Sequence, residues 1–242
     1  MKFALIGYGK MGKEIEQMAQ SAGHEVVLKI NKENLSQFTS ENLRKADVAI
    51  EFTQPAAAFF NISKCFDSGI PVVTGTTGWY DQLDEARELC QMKNGSILYA
   101  SNFSIGVNLF FELNRKLAEM MKSHAEYKIS LEEIHHIQKL DKPSGTAITI
   151  ANDINAAAGS VKKITINESE KNDPEKIFIN PVRKENVIGI HAVNYRSEID
   201  KIEIRHEAFS RKGFAQGAIL AAQWLKGKKG FFEMKNFLKE FR

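Results

Sequence analysis

The fold is decided by residues 3–12, which read Phe3-Ala4-Leu5-Ile6-Gly7-Tyr8-Gly9-Lys10-Met11-Gly12. Four apolar residues have the pattern of a buried strand, and a GxGxxG loop follows them directly and opens a helical stretch. In this context Gly7 permits a tight turn, Gly9 lets the backbone approach a pyrophosphate, and Gly12 permits close helix–strand packing. The helix N-terminus then offers N–H groups to phosphate. The stretch predicts dinucleotide binding, with a structural turn in an unrelated α/β protein as the alternative.

The alternation of strand and helix continues to about residue 104. Strand patterns lie at 25–30, 48–52, 71–74 and 96–100, and helix patterns at 13–22, 55–66 and 81–92. Such alternation predicts an α/β fold, with a Rossmann-like doubly wound parallel sheet and helices on both faces.

The pattern changes beyond residue 104. A long helix at 107–121 and a shorter one at 144–158 accompany strand patterns at 127–134, 163–167, 187–195 and 201–206. The polar segment 167–186, with two prolines, is predicted to form loops. A final helix at 214–225 returns to the first domain. We therefore predict a dinucleotide-binding domain from 1–104 and 214–242, and a second α+β domain with a mixed sheet at 105–213.

Composition excludes several classes of protein. The 242 residues include 33 Lys and Arg against 30 Asp and Glu, a net charge of +3, with no basic block typical of a nucleic-acid arm. No apolar run approaches the ~18 residues of a membrane span, and the N-terminus lacks signal-peptide features. Cys65 and Cys90 lack CxxC spacing and are predicted to be buried free thiols. We expect a cytoplasmic protein with neither nucleic-acid nor membrane partners.

The end of the second strand bears on coenzyme choice. It reads Ile30-Asn31-Lys32-Glu33, where NAD-binding domains usually carry an acid for the ribose hydroxyls. Asn31 beside Lys32 favours a 2′-phosphate, and hence NADPH over NADH. If the strand runs two residues longer, Glu33 is the acid instead.

Polar or glycine-containing segments follow the third, fourth and fifth strands. They are Glu51-Phe52-Thr53, Gly75-Thr76-Thr77-Gly78-Trp79 and Ser101-Asn102-Phe103-Ser104. Ligands of doubly wound sheets bind outside the carboxyl ends of the strands. Three such segments together favour a ligand crevice over three ordinary loops.

The densest cluster of reactive side chains is His135-His136-Ile137-Gln138-Lys139-Leu140-Asp141-Lys142-Pro143-Ser144-Gly145-Thr146-Ala147. Histidine suits proton transfer near neutral pH, and Lys139 supplies a cation for an anionic substrate. Ser144 is a natural N-cap, which leaves the N–H groups that follow it to a carboxylate. The alternative is structural: both histidines have their hydrogen-bonding partners within a sheet, and Ser144 is an ordinary helix N-cap. A zinc site is not expected, because the histidine pair has no third ligand at useful spacing.

The segment His206-Glu207-Ala208-Phe209-Ser210-Arg211-Lys212-Gly213-Phe214 precedes the final helix. Arg211 and Phe214 either line a cleft or hinge, or form a purely structural strand-to-helix junction.

Together these segments resemble the dihydrodipicolinate reductase (4-hydroxy-tetrahydrodipicolinate reductase) family from end to end. The string from His135 to Ala147 fits the family pattern HHxxKxDxPSGTA. The resemblance implies an NADPH- or NADH-dependent oxidoreductase of diaminopimelate and lysine biosynthesis. Such an enzyme reduces a cyclic dicarboxylate, 4-hydroxy-tetrahydrodipicolinate, to tetrahydrodipicolinate with loss of water. The resemblance also implies a homotetramer assembled through the second domain, which binds the substrate.

The resemblance assigns roles to individual residues. His135 and Lys139 match the proton donors, and His136, Ser144, Gly145 and Thr146 are predicted substrate contacts. The predicted coenzyme contacts are Gly7, Gly9, Lys10, Met11, Gly12, Asn31, Lys32, Phe52, Thr53, Gly75, Thr76, Thr77, Ala100, Ser101, Asn102, Phe103, Arg211 and Phe214.

The chain departs from the family pattern in a glycine loop one residue shorter than the frequent GxxGxxG, in Asn31 and in its shorter length. Two rival functions are a non-catalytic NAD(P)-binding redox sensor, which needs only the glycine loop, and a related dehydrogenase with a different catalytic cluster.

Overall fold

The structure is a computed structural model that describes residues 1–240. The chain divides into two compact units, Met1–Ile105 together with the segment from Lys212 onward, and Gly106–Arg211. The predicted domain boundaries fall after residue 104 and before residue 214. Positions 241 and 242 of that prediction lie outside the described residues.

Strands and helices alternate along the first unit and then separate into longer runs. The first unit opens with β1 (Lys2–Ile6), α1 (Lys10–Ser21), β2 (Glu25–Ile30), α2 (Ser40–Leu43), β3 (Val48–Glu51), α3 (Pro55–Asp67), β4 (Val72–Thr74), α4 (Leu83–Met92) and β5 (Ser96–Tyr99). The second unit contains α5 (Ile105–Met121, of which Ile105 belongs to the first unit), β6 (Lys128–His135), α6 (Gly145–Ala158), β7 (Lys163–Thr165), β8 (Lys176–Arg183), β9 (Gly189–Arg196) and β10 (Lys201–Ala208). The chain returns to the first unit with α7 (Lys212–Leu225), β11 (Gly230–Glu233) and α8 (Met234–Lys239).

The sheet of the first unit is parallel, in the order β11-β5-β4-β3-β1-β2. The chain passes from β1 to β2 on one side and then to β3 on the other side of β1. The carboxyl ends of β1 and β3 therefore flank a topological switch point, where open α/β sheets bind ligands. This geometry brings the loop after Ile6 beside the segment after Glu51.

Two apolar clusters cover the two faces of this sheet. Phe3 and Leu5 of β1 share a cluster with α1, α7 and α8, whereas Ala4 and Ile6 share one with α3 and α4. Strands buried on both faces need apolar side chains at successive positions, which explains the run Phe3–Ile6. The predicted doubly wound sheet is confirmed.

The second unit contains a mixed sheet in the order β10-β9-β6-β8-β7. The β10–β9 and β9–β6 pairs are antiparallel, and the β6–β8 and β8–β7 pairs are parallel. Its core joins Val107 and Phe110 of α5, Ile150 of α6, and Leu131 and Val193 of the sheet. The predicted mixed sheet is thus confirmed.

The prediction of loops throughout 167–186 is wrong, because β8 occupies Lys176–Arg183. Pro181 obscured the strand, since proline cannot donate to a ladder and usually argues against an inner strand. Pairing of β8 with β7 ends at Phe178, so beyond that residue the edge facing β7 is open. A proline is therefore compatible with this part of the strand.

Cys65 and Cys90 are free and buried, as predicted. Within residues 1–240, none of the helices has the length and apolar character needed to cross a membrane.

Candidate active site

The glycine loop satisfies three separate geometric demands. Gly7 has φ +96°, and a Cβ atom there would lie 1.9 Å from the carbonyl oxygen of Phe52. A Cβ atom at Gly12 would lie 2.4 Å from the carbonyl oxygen of Gly7, whereas one at Gly9 would meet nothing within 4 Å. Gly7 and Gly12 are therefore required by the protein's own packing. Gly9 caps α1 without a side chain and leaves open space beside the helix N-terminus, which fits a pyrophosphate.

A cavity of about 520 Å³ lies beside this loop. Its walls include six of the predicted coenzyme residues, Gly7, Gly9, Asn31, Lys32, Phe52 and Thr53. The fold thus brings these side chains and backbone segments around one space, and their contacts with a coenzyme stay a prediction.

The loop after β2 has a defined structure of its own. Asn31 Oδ1 accepts hydrogen bonds from the backbone N–H groups of Glu33 at 2.8 Å and Asn34 at 3.1 Å. The strand ends at Ile30, so the extension that would make Glu33 the strand-end acid does not occur. Lys32 is exposed and lines the cavity, where it presents a positive charge.

A buried carboxylate that the sequence reasoning did not single out joins the ends of β3 and β4. Glu51 has no exposed surface and accepts hydrogen bonds from Thr74 at 2.5 Å, Thr76 at 3.0 Å and Asn61 at 3.3 Å. The Thr53 hydroxyl also donates to it. Thr76 Oγ1 in turn accepts from the backbone N–H of Thr53 at 2.8 Å. The hydroxyl groups of Thr53 and Thr76 therefore hold the two loops together.

Aromatic packing shapes the same edge of the sheet. A Cβ atom at Gly75 would lie 2.1 Å from Cε1 of Phe52, so the ring needs a glycine there. The Phe52 ring packs edge-on against Phe103, with 5.9 Å between centroids. Phe103 is 2% exposed and Ala100 8% exposed, so these side chains belong to the core. Any contact of Phe103 with a coenzyme would have to use its backbone.

Three further predicted residues, Lys10, Thr77 and Ser101, are exposed, and Met11 and Phe214 are partly buried. Asn102 Oδ1 accepts from the N–H of Ser104 at 2.9 Å, which closes a turn before α5.

In the second unit, Glu133 and His135 lie on the same face of β6, because they are two residues apart in a strand. Glu133 has no exposed surface, and its Oε2 lies 3.4 Å from Nδ1 of His135. Burial raises the pKa of Glu133, but interactions with His135 and Ser144 outweigh it and lower the pKa to about 2. Glu133 is therefore a carboxylate in the folded protein.

Arg183, which the sequence reasoning missed, stands opposite His135 in the β6–β8 register. Its Nη1 and Nη2 each lie 3.2 Å from Glu133 Oε1, and its Nε donates to the carbonyl oxygen of Lys139 at 3.2 Å. It also donates to the carbonyl oxygen of Asp141. Strand register brings these groups together, and no local sequence pattern signals it.

His191 of β9 is a second residue that the sequence reasoning missed. It pairs with Glu133 across β9 and β6, and its ring centroid lies 5.0 Å from that of His135. Burial, together with the neighbouring His135, lowers the pKa of His191 to about 3, so the ring is neutral.

Glu133, His135 and His191 place ligand atoms within 4.8 Å of one another. The fold thus gives His135, without His136, two possible partners in a metal site that the spacing in sequence did not indicate. However, Arg183 contacts one oxygen of Glu133, and the Ser144 N–H donates to the other at 3.0 Å. A guanidinium beside the carboxylate opposes a second cation, and the absence of a metal stays a prediction.

The segment after His135 carries the predicted lysine and helix cap. Lys139 Nζ lies 2.8 Å from Asp141 Oδ1, and a cis peptide bond joins Lys142 to Pro143. Ser144 is 1% exposed, and its Oγ accepts from the N–H of Ala147 at 3.2 Å, which confirms the predicted N-cap.

The Ser144 hydroxyl faces inwards, 3.4 Å from Nε2 of His191. A Cβ atom at Gly145 would meet nothing within 4 Å, so there is open space beside this residue, and its backbone N–H donates to the Asp141 carboxylate and helps to lower the pKa of that group. The Ser144 side chain is thus occupied within the protein, and contacts of Gly145 and Thr146 with a substrate stay a prediction.

His136 and Arg211 line another cavity, of about 640 Å³, within the second unit. Burial and the positive charge of Arg211 lower the pKa of His136. His206, from the same terminal segment, packs against Phe110 with 6.1 Å between ring centroids. Arg211 thus belongs with the histidine segment, whereas His206 contributes to packing.

A Rossmann-like sheet with an open glycine loop, together with a second sheet that carries a histidine–carboxylate pair, is typical of an NAD(P)H-dependent oxidoreductase. Two family models agree with this class. Residues 1–103 match the model "Dihydrodipicolinate reductase, N-terminus", and residues 106–238 match "Dihydrodipicolinate reductase, C-terminus". The chain belongs to the dihydrodipicolinate reductase family.

Individual relatives support the same family assignment. The chain is 49% identical to 4-hydroxy-tetrahydrodipicolinate reductase of Christiangramia forsetii, over 99% of this chain and 98% of the relative. It is 34% identical to the enzyme of that name from Neisseria meningitidis, over 92% of this chain and 83% of the relative.

Among solved structures, dipicolinate-bound dihydrodipicolinate reductase from Paenisporosarcina sp. TG-14 is similar, with a TM-score of 0.76 and 25% identity. The similarity covers 96% of this chain and 97% of that one. A probable dehydrogenase from Thermotoga maritima shares the fold alone, with a TM-score of 0.54 and 9% identity over 93% of this chain and 88% of that one.

Proposed function

We propose that this protein reduces 4-hydroxy-tetrahydrodipicolinate to tetrahydrodipicolinate with NADPH or NADH, with loss of water, in diaminopimelate and lysine biosynthesis. The main support for this proposal is the group formed by His135, Glu133 and the Lys139 segment. The chain that carries this group is 49% identical to a 4-hydroxy-tetrahydrodipicolinate reductase over 99% of its length. A redox sensor needs no such group, and a dehydrogenase for another substrate would carry a different cluster.

The first unit holds the coenzyme in this proposal. When bound, the reduced nicotinamide supplies the hydride. The open backbone at Gly9 and the N-terminus of α1 bind the pyrophosphate. Lys32 meets the 2′-phosphate of NADPH, which makes NADPH the better coenzyme. The loops joined through Glu51 form the nicotinamide side.

The second unit binds and protonates the substrate in this proposal. A dianionic substrate needs positive or N–H-rich surroundings, which Lys139, His136 and the first turn of α6 supply. The N–H groups of Gly145 and Thr146 lie at a helix N-terminus, where the partial positive charge favours a carboxylate. His135 gives the proton that follows hydride addition, and Lys139 acts as the second proton donor.

We also propose a cytoplasmic homotetramer, without nucleic-acid or membrane partners, that assembles through the second unit. In support, α5 and α6 both pack into the core on one face of the mixed sheet. Several side chains of β10 are exposed, including Glu203, Arg205 and Glu207. Light scattering after size exclusion should give four times the chain mass, and the mass of a single chain would contradict the assembly.

The reaction is tested by following the oxidation of NADPH and, separately, NADH. A synthase generates the unstable substrate in place from pyruvate and aspartate semialdehyde. Oxidation that requires the synthase supports the function, and the two rates decide coenzyme preference. If the folded protein binds nucleotide but oxidises neither coenzyme, the proposed substrate is wrong.

A further inference from the structure

We propose that Arg183 and Glu133 are positioning residues, which hold His135 with its Nε2 atom towards the substrate and hold the Lys139 segment beside it. This inference rests on the proposed function, in which His135 and Lys139 transfer protons. It adds two residues that lie outside the histidine–lysine motif.

Both carboxylate oxygens of Glu133 have partners. One carboxylate oxygen faces the Arg183 guanidinium at 3.2 Å, and the other accepts from the Ser144 N–H at 3.0 Å and faces Nδ1 of His135 at 3.4 Å. A fully buried carboxylate is stable only when it is paired and hydrogen-bonded, and these contacts meet that need. Glu133 therefore keeps its charge and its orientation.

Glu133 faces one of the two ring nitrogens of His135. An ionised carboxylate can only accept, so it favours the tautomer with the proton on Nδ1. Glycine at position 189 leaves room at the other nitrogen, because a Cβ atom there would lie 3.2 Å from Nε2. The pair thus makes Nε2 the atom available for proton exchange.

Arg183 also contacts the segment that carries Lys139. The guanidinium of Arg183, 9% exposed, donates to the backbone carbonyl groups of Lys139 and Asp141 while it also contacts Glu133. A planar guanidinium has five donors in a fixed arrangement, whereas a lysine ammonium acts as a single compact charge. Lysine at position 183 would therefore keep the charge but lose most of these contacts.

Other charged and titratable groups surround His135. They are His136 and Lys139 from the following segment, Arg183 from β8, His191 from β9, and His206 from β10 beyond His191. Among these neighbours and Glu133, only the Glu133 carboxylate carries a negative charge.

The test compares Glu133→Gln and Arg183→Lys with wild type in the synthase-coupled assay. We expect each variant to lower kcat by roughly 10- to 100-fold, with coenzyme affinity changed less than about twofold. In Glu133→Gln the pH dependence of kcat should differ from that of wild type, because the negative charge beside His135 is lost. A purely structural role would leave that pH dependence unchanged.

Arg115→Lys is the matched control. Arg115 bridges Glu112 and Asp153 at 2.8 Å each on the helical layer of the same unit, and this variant should retain wild-type kcat. If Glu133→Gln fails to fold, Arg183→Lys, which keeps the buried charge, decides the matter. Folded variants with kcat within twofold of wild type and an unmoved pH profile would overturn the inference.

Imidazole nitrogen NMR shifts separate this inference from the proposed function. Wild type should show His135 with its proton on Nδ1, and Glu133→Gln should show a mixture of tautomers. If wild type has no synthase-dependent turnover, the proposed function fails and the NMR spectra alone decide the positioning by Glu133. A wild-type spectrum with the proton on Nε2 would overturn it.

Discussion

Lys139 Nζ lies 2.8 Å from Asp141 Oδ1, in a segment whose backbone is held by Arg183. The lysine side chain is 25% exposed and the aspartate side chain 55% exposed. Such an accessible ion pair contributes about 1 kcal/mol or less, because solvent screens it. Lys139 can therefore exchange Asp141 for a substrate carboxylate at little cost.

Lys139→Ala should consequently impair the reaction without affecting the first unit. We expect a lower kcat, a higher KM for the substrate, or both, with coenzyme affinity unchanged. Steady-state kinetics and a coenzyme titration measure these quantities, with exposed Lys122→Ala as the control. Loss of coenzyme binding would show that Lys139 acts elsewhere.

His135→Ala should lower kcat by roughly 10²- to 10⁴-fold, the usual contribution of a general acid. Coenzyme affinity should persist, because the coenzyme contacts proposed for the first unit are unchanged. The exposed His124, which contacts Glu126 at 3.2 Å, provides the control His124→Ala. Unchanged turnover in His135→Ala would remove His135 from the mechanism.

Lys32→Ala should weaken NADPH binding more than NADH binding, because only NADPH carries the 2′-phosphate. Dissociation constants for both coenzymes, with exposed Lys13→Ala as the control, test this expectation. Equal losses for the two coenzymes would argue against a 2′-phosphate contact.

Gly9→Ala and Gly12→Ala should separate ligand binding from folding. A methyl group at Gly9 meets no protein atom within 4 Å, so stability should hold while coenzyme affinity falls. At Gly12 the methyl group would lie 2.4 Å from a carbonyl oxygen, so the melting temperature should fall. Calorimetry with and without coenzyme distinguishes the two effects; full affinity in folded Gly9→Ala would place the pyrophosphate elsewhere.

His191 should make stability depend on pH. Its pKa is lowered from 6.5 to about 3 in the folded protein, so below about pH 6.5 the unfolded chain binds the extra proton. The free energy of unfolding should therefore decrease as the pH is lowered from about 6.5 to about 3, by up to about 1.4 kcal/mol per pH unit for one proton. His191→Gln should reduce this slope in urea titrations, and an unaltered slope would show that His191 does not contribute.

Local sequence patterns were sufficient to predict much of the fold. The bounds predicted for β2, 25–30, match the structure, and the N-cap at Ser144 was evident from its position before a helical stretch. These features depend on neighbouring residues. The glycine loop could also be predicted, because its three glycines lie within six positions.

Contacts between residues that are distant in sequence could not be predicted from local patterns. Glu133, Arg183 and His191 come together through the register of β6 with β8 and β9, and Pro181 concealed β8 itself. Glu51 stood in a predicted ligand segment, but its role as the acceptor for Thr74 and Thr76 depends on a neighbouring strand. The missed residues are therefore partners whose contacts form only in the tertiary structure.

The same strand pairing has a consequence for the order of folding. Arg183 and His191 are synthesised well after His135, and they lie on strands that flank β6 on opposite sides. Contacts between residues distant in sequence carry a large loop-closure cost and tend to form late. A nascent chain that has completed β6 and α6 would thus carry the whole histidine–lysine motif and still be inactive. Competence for proton transfer would arise only when the last strands of the mixed sheet are in place.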